Sequence, residues 1–84
     1  MLLPLNKYPS LDLHGETRAT VYTEIKNFVN DNIKMKNKTI LIIHGKGSGI
    51  LKKEVHYQLR KMKEVKSFYL HYWNQGTTVV ELNI

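Results

Sequence analysis

The run Thr39-Ile40-Leu41-Ile42-Ile43, followed at once by His44-Gly45-Lys46-Gly47-Ser48-Gly49, constrains this chain most. It is β-branched and continuously apolar, too short for a buried helix and without polar alternation. It therefore predicts a central strand covered on both faces, in a sheet with parallel pairing. Upstream, Leu11-Asp12-Leu13-His14 alternates and stops at Gly15, a short strand entering a turn. Thr17 stands at an N-cap position before Val21, Ile25, Phe28, Val29 and Ile33, the apolar stripe of a helix ending near Lys34 to Met35. After the glycines, Leu51, Val55, Leu59 and Met62 mark a second helix. Val65 to Trp73 is rich in β-branched and aromatic residues, Asn74-Gln75-Gly76 is turn chemistry, and Thr77 to Leu82 alternates, which predicts a closing hairpin. The order is β-α-β-α-β-β: an α/β fold (an α+β sandwich) with a mixed four-stranded sheet and two helices. Residues 1–9, with Pro4 and Pro9, read as an N-terminal arm and residues 10–84 as the domain.

Composition narrows the chemistry. Eighty-four residues support one core, and the absence of cysteine removes disulfides, thiol nucleophiles and thiolate zinc sites. No run of roughly 20 apolar residues is present to span a bilayer, and Met1 to Leu5 lacks the pattern of a signal peptide, so no membrane association and a cytoplasmic location are expected. The net charge of +6 is concentrated: residues 34–66 carry ten basic side chains against Glu54 and Glu64. That favours a polyanionic partner, because each neutralised phosphate releases counterions; a merely solvated lysine surface is the competing reading.

If the first two strands are parallel, both end at one edge of the sheet, and Leu13-His14-Gly15 and Ile43-His44-Gly45 become matched His-Gly steps leading into helix N-termini. Such an edge is where open α/β sheets bind ligands, and two helix N-termini there favour an anion. The glycines spell neither a P-loop nor G-x-G-x-x-G. Either they only allow a tight turn, or they let a phosphate approach the backbone beside Lys46. Asp12 shares a face with His14 by alternation, and it accepts hydrogen bonds from a nearby cap or loop, orients a histidine, holds a divalent ion, or acts as a base. Asp12, His14, His44 and Lys46 together contain the parts for phosphodiester hydrolysis. Gly15, Arg18, Gly45, Gly47, Ser48, Gly49, Lys52, Lys53 and Arg60 are the candidate nucleic-acid contacts. No local metal spacing links the histidines, and His56 and His71 read as surface or packing residues. Tyr69, Tyr72 and Trp73 are either hairpin packing or a base-stacking surface.

These residues carry a resemblance. Leu11-Asp12-Leu13-His14-Gly15, Ile42-Ile43-His44-Gly45-Lys46-Gly47-Ser48-Gly49-Ile50-Leu51-Lys52, Val65-Lys66-Ser67-Phe68 and Thr77-Thr78-Val79-Val80-Glu81-Leu82 resemble the Smr (small MutS-related) domain over roughly residues 10–82. The resemblance implies a fold similar to the C-terminal domain of the third bacterial translation initiation factor. It also implies endonuclease activity on DNA or RNA, in some members with a divalent metal such as Mg or Mn, with motif residues Asp12, His14, Gly15, His44, Gly45, Lys46, Gly47 and Gly49. The expected protein is stand-alone, with nucleic acid as partner. The alternative is a non-catalytic DNA- or RNA-binding module, ribosome-associated or delivered by a protein partner. Where the family has a longer glycine-rich stretch before the last strand, this chain has only Trp73-Asn74-Gln75-Gly76, which implies altered substrate grip.

Overall fold

A computed structural model describes residues 7–84; of the arm, residues 1–6 with Pro4 lie outside it. The elements are β1 (Ser10–Asp12), α1 (Arg18–Lys34), β2 (Thr39–Ile43), α2 (Ile50–Lys61), β3 (Val65–Leu70) and β4 (Thr77–Leu82). They form one mixed sheet in the order β1-β2-β4-β3, with β1 parallel to β2 and β4 antiparallel to both its neighbours. The apolar run is thus an inner strand, and Ile40, Leu41 and Ile42 are all buried although they alternate between faces.

Register explains which face holds the core. Ile40 pairs with Val80 and Ile42 with Thr78, so these residues share one face with Leu82. On that face Val21, Ile25 and Val29 of α1 and Val55 and Leu59 of α2 join them in a single buried cluster with Leu13. Leu41 and Val79, paired directly, are buried on the opposite face. The helical stripes expected from the spacing are the ones that bury.

Two boundaries differ from expectation. Strand pairing begins at Ser10 and regular pairing ends at Asp12, with the Leu13 amide donating one more bond to the Ile43 carbonyl at 2.7 Å. The third strand stops at Leu70 rather than Trp73, because the buried His71 ring accepts the backbone N–H groups of Trp73 and Asn74 at its Nδ1, turning the chain out of the ladder. Thr17 is the N-cap of α1 as expected, yet its side chain makes no cap bond; Gly49, also without a side-chain cap, starts α2.

Candidate functional site

β1 and β2 run parallel and end at one edge, where their loops lead into α1 and α2 and enclose a cleft of 630 Å³. His14, Gly15, Arg18, His44, Lys46, Ser48, Lys52 and the three glycines between 45 and 49 all line it. Neither helix has an acidic residue in its first turn. First-turn N–H groups without intrahelical partners therefore meet the cleft from two directions, alongside Arg18, Lys46 and Lys52, an arrangement that favours an anion. Glu16 also lines the cleft and works against that charge; its carboxylate accepts the Thr20 hydroxyl at 2.8 Å and raises the pKa of Glu24 by repulsion. Lys53 is exposed on α2 but does not line the cleft, and Arg60 lies at the far end of that helix, about 15 Å away by helical rise, with its guanidinium over the Phe68 ring.

The two histidines, expected as matched sites, are not equivalent. Asp12 pairs with Ile43, so His44 leaves its strand in register with Leu13 and His14 in register with Gly45. Side chains alternate between faces, so a one-residue offset sends the two rings to opposite sides of the sheet. His44 follows Leu13 into the core and is 4% exposed. His14 stays in solvent with Asp12, which accepts both the His14 amide at 3.1 Å and its ring Nδ1 at 2.6 Å. Gly45 stands beside His14 at φ +86°, the left-handed region that favours glycine.

Asp12 and His14 form an exposed pair, with side chains 54% and 70% accessible. The hydrogen bond holds the Asp12 carboxyl below its ordinary range and raises His14, because it favours both charged forms. A carboxylate only accepts, so Nδ1 carries the proton and neutral His14 presents a bare Nε2. That is the orientation logic of a carboxylate-supported general base.

His44 sits in a network the sequence did not reveal. Its Nδ1 bonds the Gly45 carbonyl at 3.0 Å and its Nε2 the Thr78 hydroxyl at 2.8 Å; His56 Nε2 reaches the same hydroxyl at 2.7 Å. The carbonyl only accepts, so Nδ1 of His44 is the donor. Burial lowers the pKa of His44, opposed by that carbonyl bond, with the charge of Lys52 adding to the lowering. His56 is pushed down to about 4 by burial, then by His44, Arg60 and Lys52. With both rings neutral, one proton arrangement satisfies every bond: His56 Nε2 donates to Thr78, and Thr78 donates to His44 Nε2. His56 also packs against Phe68 with ring centroids 4.9 Å apart, in keeping with its expected packing role. The missed residue is Thr78; the available signal was a polar side chain at a core-facing position of β4.

The last turn docks onto the glycine loop. The Gly76 carbonyl accepts the His44 and Gly45 amides at 2.9 and 3.0 Å, and Gln75 lines a smaller, 250 Å³ cleft with Gly45 to Gly49 and Lys52. For a divalent metal, the donors do not make up a protein-built site. Asp12 Oδ1 is taken by His14, and among the described residues no three His, Cys, Asp or Glu side chains converge.

A basic α/β domain with a cleft between two strand-to-helix turns, and a carboxylate-supported histidine at its rim, has its cleft where open α/β sheets bind ligands, outside the carboxyl ends of the strands. This chain is a member of the Smr family: the family model described as Smr domain matches residues 11–83. It is 36% identical over 78 residues, 89% of its length, to the protein named endonuclease MutS2 of Caldanaerobacter subterraneus subsp. tengcongensis, and 39% identical over 75 residues, 86% of its length, to that of Brevibacillus brevis. It spans about 10% of the length of either relative. The crystal structure of the Smr domain of Thermus thermophilus MutS2 superposes with a TM-score of 0.86 at 30% identity, covering 90% of this chain and 99% of that one. YdaL, a stand-alone small MutS-related protein from Escherichia coli, superposes at 0.82 with 24% identity, over 93% of this chain and 69% of that one, a likeness of fold. The mixed sheet with two helices is the fold of these structures. Among the described residues, no helix is long and apolar enough to cross a membrane.

Proposed function

We propose that this domain is a nucleic-acid endonuclease that hydrolyses phosphodiester bonds, with His14 as its proton-transfer group. The observation that carries the reading is the exposed Asp12–His14 pair beside the cleft between the two helix starts. In this reading the N–H groups of the helix starts and glycine loop bind the scissile phosphate, with Lys46, Lys52 and Arg18 supplying charge. His14 Nε2 takes a proton from the water that attacks phosphorus, the P–O ester bond breaks, and the imidazolium returns the proton to the leaving oxygen, while Asp12 holds the ring and stabilises the imidazolium and Lys46 offsets the charge that develops on the phosphoryl oxygens. His44 is assigned a positioning role, since both its ring nitrogens are engaged and one fixes the Gly45 carbonyl. Lys53 and Arg60 are assigned to the backbone phosphates beyond the cleft, where contacts set orientation without reading sequence. No step runs through a metal. The endonuclease name of the MutS2 relatives supports the reading.

One feature favours a second reading, binding without turnover: of the two motif histidines only His14 is open to solvent. A cleavage assay separates them. Supercoiled DNA and structured RNA are incubated with wild type and with Asp12→Ala, His14→Ala and His44→Ala proteins shown to be folded. Loss of general acid–base catalysis costs about 10²- to 10⁴-fold in rate for His14→Ala. Substrates left intact by the wild type across pH and divalent ions, yet bound in a salt-sensitive way, would replace the endonuclease with a binding module.

A further inference from the structure

Tyr72 and Trp73 occupy the turn between β3 and β4 and are 81% and 67% exposed. The two rings meet edge to face, with centroids 5.7 Å apart. The backbone beneath them is held firmly. The buried His71 ring accepts the amides of Trp73 and Asn74 at 3.2 and 3.1 Å, and the Asn74 side chain accepts the Gly76 amide at 3.0 Å. Gly76 in turn binds the glycine loop through its carbonyl. The turn is therefore docked on the loop that lines the main cleft, and Gln75 lines the smaller cleft that shares the glycine loop and Lys52 with it. Trp73 lies two residues from Gln75, so their Cα atoms are within about 7 Å.

From this placement we infer that Tyr72 and Trp73 form a stacking platform for an unpaired base next to the phosphate held by the glycine loop, which makes single-stranded or splayed nucleic acid the substrate of the site. The inference rests on the nucleic-acid reading above and deepens it. An exposed aromatic pair on a turn that docks against the glycine loop matches a base joined to a phosphate: the ring takes the π-face and the loop takes the charge. A base inside a duplex has both faces covered by its neighbours and cannot offer one. Sequence tolerance follows as well, because every base has a face to stack.

Trp73 is the single tryptophan of the chain, so its fluorescence reports this turn alone. The experiment titrates the protein with a short single-stranded oligonucleotide, with the blunt duplex of the same sequence, and with an abasic oligonucleotide of equal charge. The single strand quenches Trp73; the abasic strand binds through its phosphates without quenching. Tyr72→Ala and Trp73→Ala, checked for fold by circular dichroism, weaken single-strand binding roughly 5- to 150-fold and leave abasic binding unchanged. Equal quenching by duplex or abasic strand overturns the inference, as does unchanged affinity in both variants. Cleavage is followed in the same samples: quenching by the single strand without turnover defeats the endonuclease reading and sustains the platform, whereas turnover with unchanged Trp73 emission does the reverse. Absence of binding to every oligonucleotide overturns both.

Discussion

Acidification should loosen this domain through the histidines packed behind the glycine loop. His56 has a folded pKa of about 4 against an ordinary 6.5, so between these values the unfolded chain binds the extra proton more readily. A group whose folded pKa is depressed this way contributes stability above about pH 6.5 and loses it as pH falls toward 4. At pH 5 the linkage amounts to about 2 kcal/mol in full, and to about 1 kcal/mol once solvent screening of this partly exposed ring is allowed for. A domain of this size holds only about 4–12 kcal/mol, so the loss is measurable. His44 is lowered by burial and adds in the same direction. Glu24, raised by Glu16, and His14, raised by Asp12, oppose it, equally in any variant that spares them. Urea unfolding followed by circular dichroism at pH 7 and pH 5 reads the difference, with His56→Gln as the comparison. Wild type should lose about 1 kcal/mol more than the variant between the two pH values. The same change between the two pH values in wild type and in His56→Gln would refute the neutral network around Thr78.

Two further expectations concern the loops. A Cβ at Gly76 would stand 3.1 Å from the Gly45 carbonyl carbon and from Lys46 Cγ, and 3.2 Å from Asn74 Oδ1; because one of these is backbone, Gly76→Ala should displace the glycine loop, cost about 1–3 kcal/mol and lower the melting temperature in a thermal scan. Lys52 lines the cleft and Lys53 is assigned to a phosphate beyond it, so Lys52→Ala and Lys53→Ala should each reduce the salt dependence of oligonucleotide affinity by about one phosphate contact.

The element order was legible because each signal was local. Val21, Ile25 and Val29 at helical spacing, and the unbroken Thr39–Ile43 run, state their burial without reference to the rest of the chain. The parallel pairing that brings both loops to one edge followed from the α-helical crossover. What the sequence did not disclose depends on register. His14 and His44 look alike as His-Gly steps, and only the Asp12–Ile43 pairing shows that they face opposite ways. The convergence of His44 and His56 on Thr78 is likewise long-range, joining two residues of separate elements to a third 34 and 22 positions away. Asp12 and His14 were legible as a pair, since period-two spacing puts them on one face. The composition of Tyr72 and Trp73 continues the third strand, and only the turn imposed by His71 sets them in solvent.

The measurement that bears most directly on the central claim is the pH profile of cleavage by wild type and Asp12→Asn. Asp12 raises the His14 pKa through their hydrogen bond, so the wild-type rate should fall as His14 protonates on an acidic limb above the ordinary histidine value of 6.5. In Asp12→Asn that limb should move to lower pH, while the maximal rate drops because the ring is less firmly held. A limb unmoved by Asp12→Asn, or cleavage that persists in folded His14→Ala, would contradict the assignment of this pair as the proton-transfer centre.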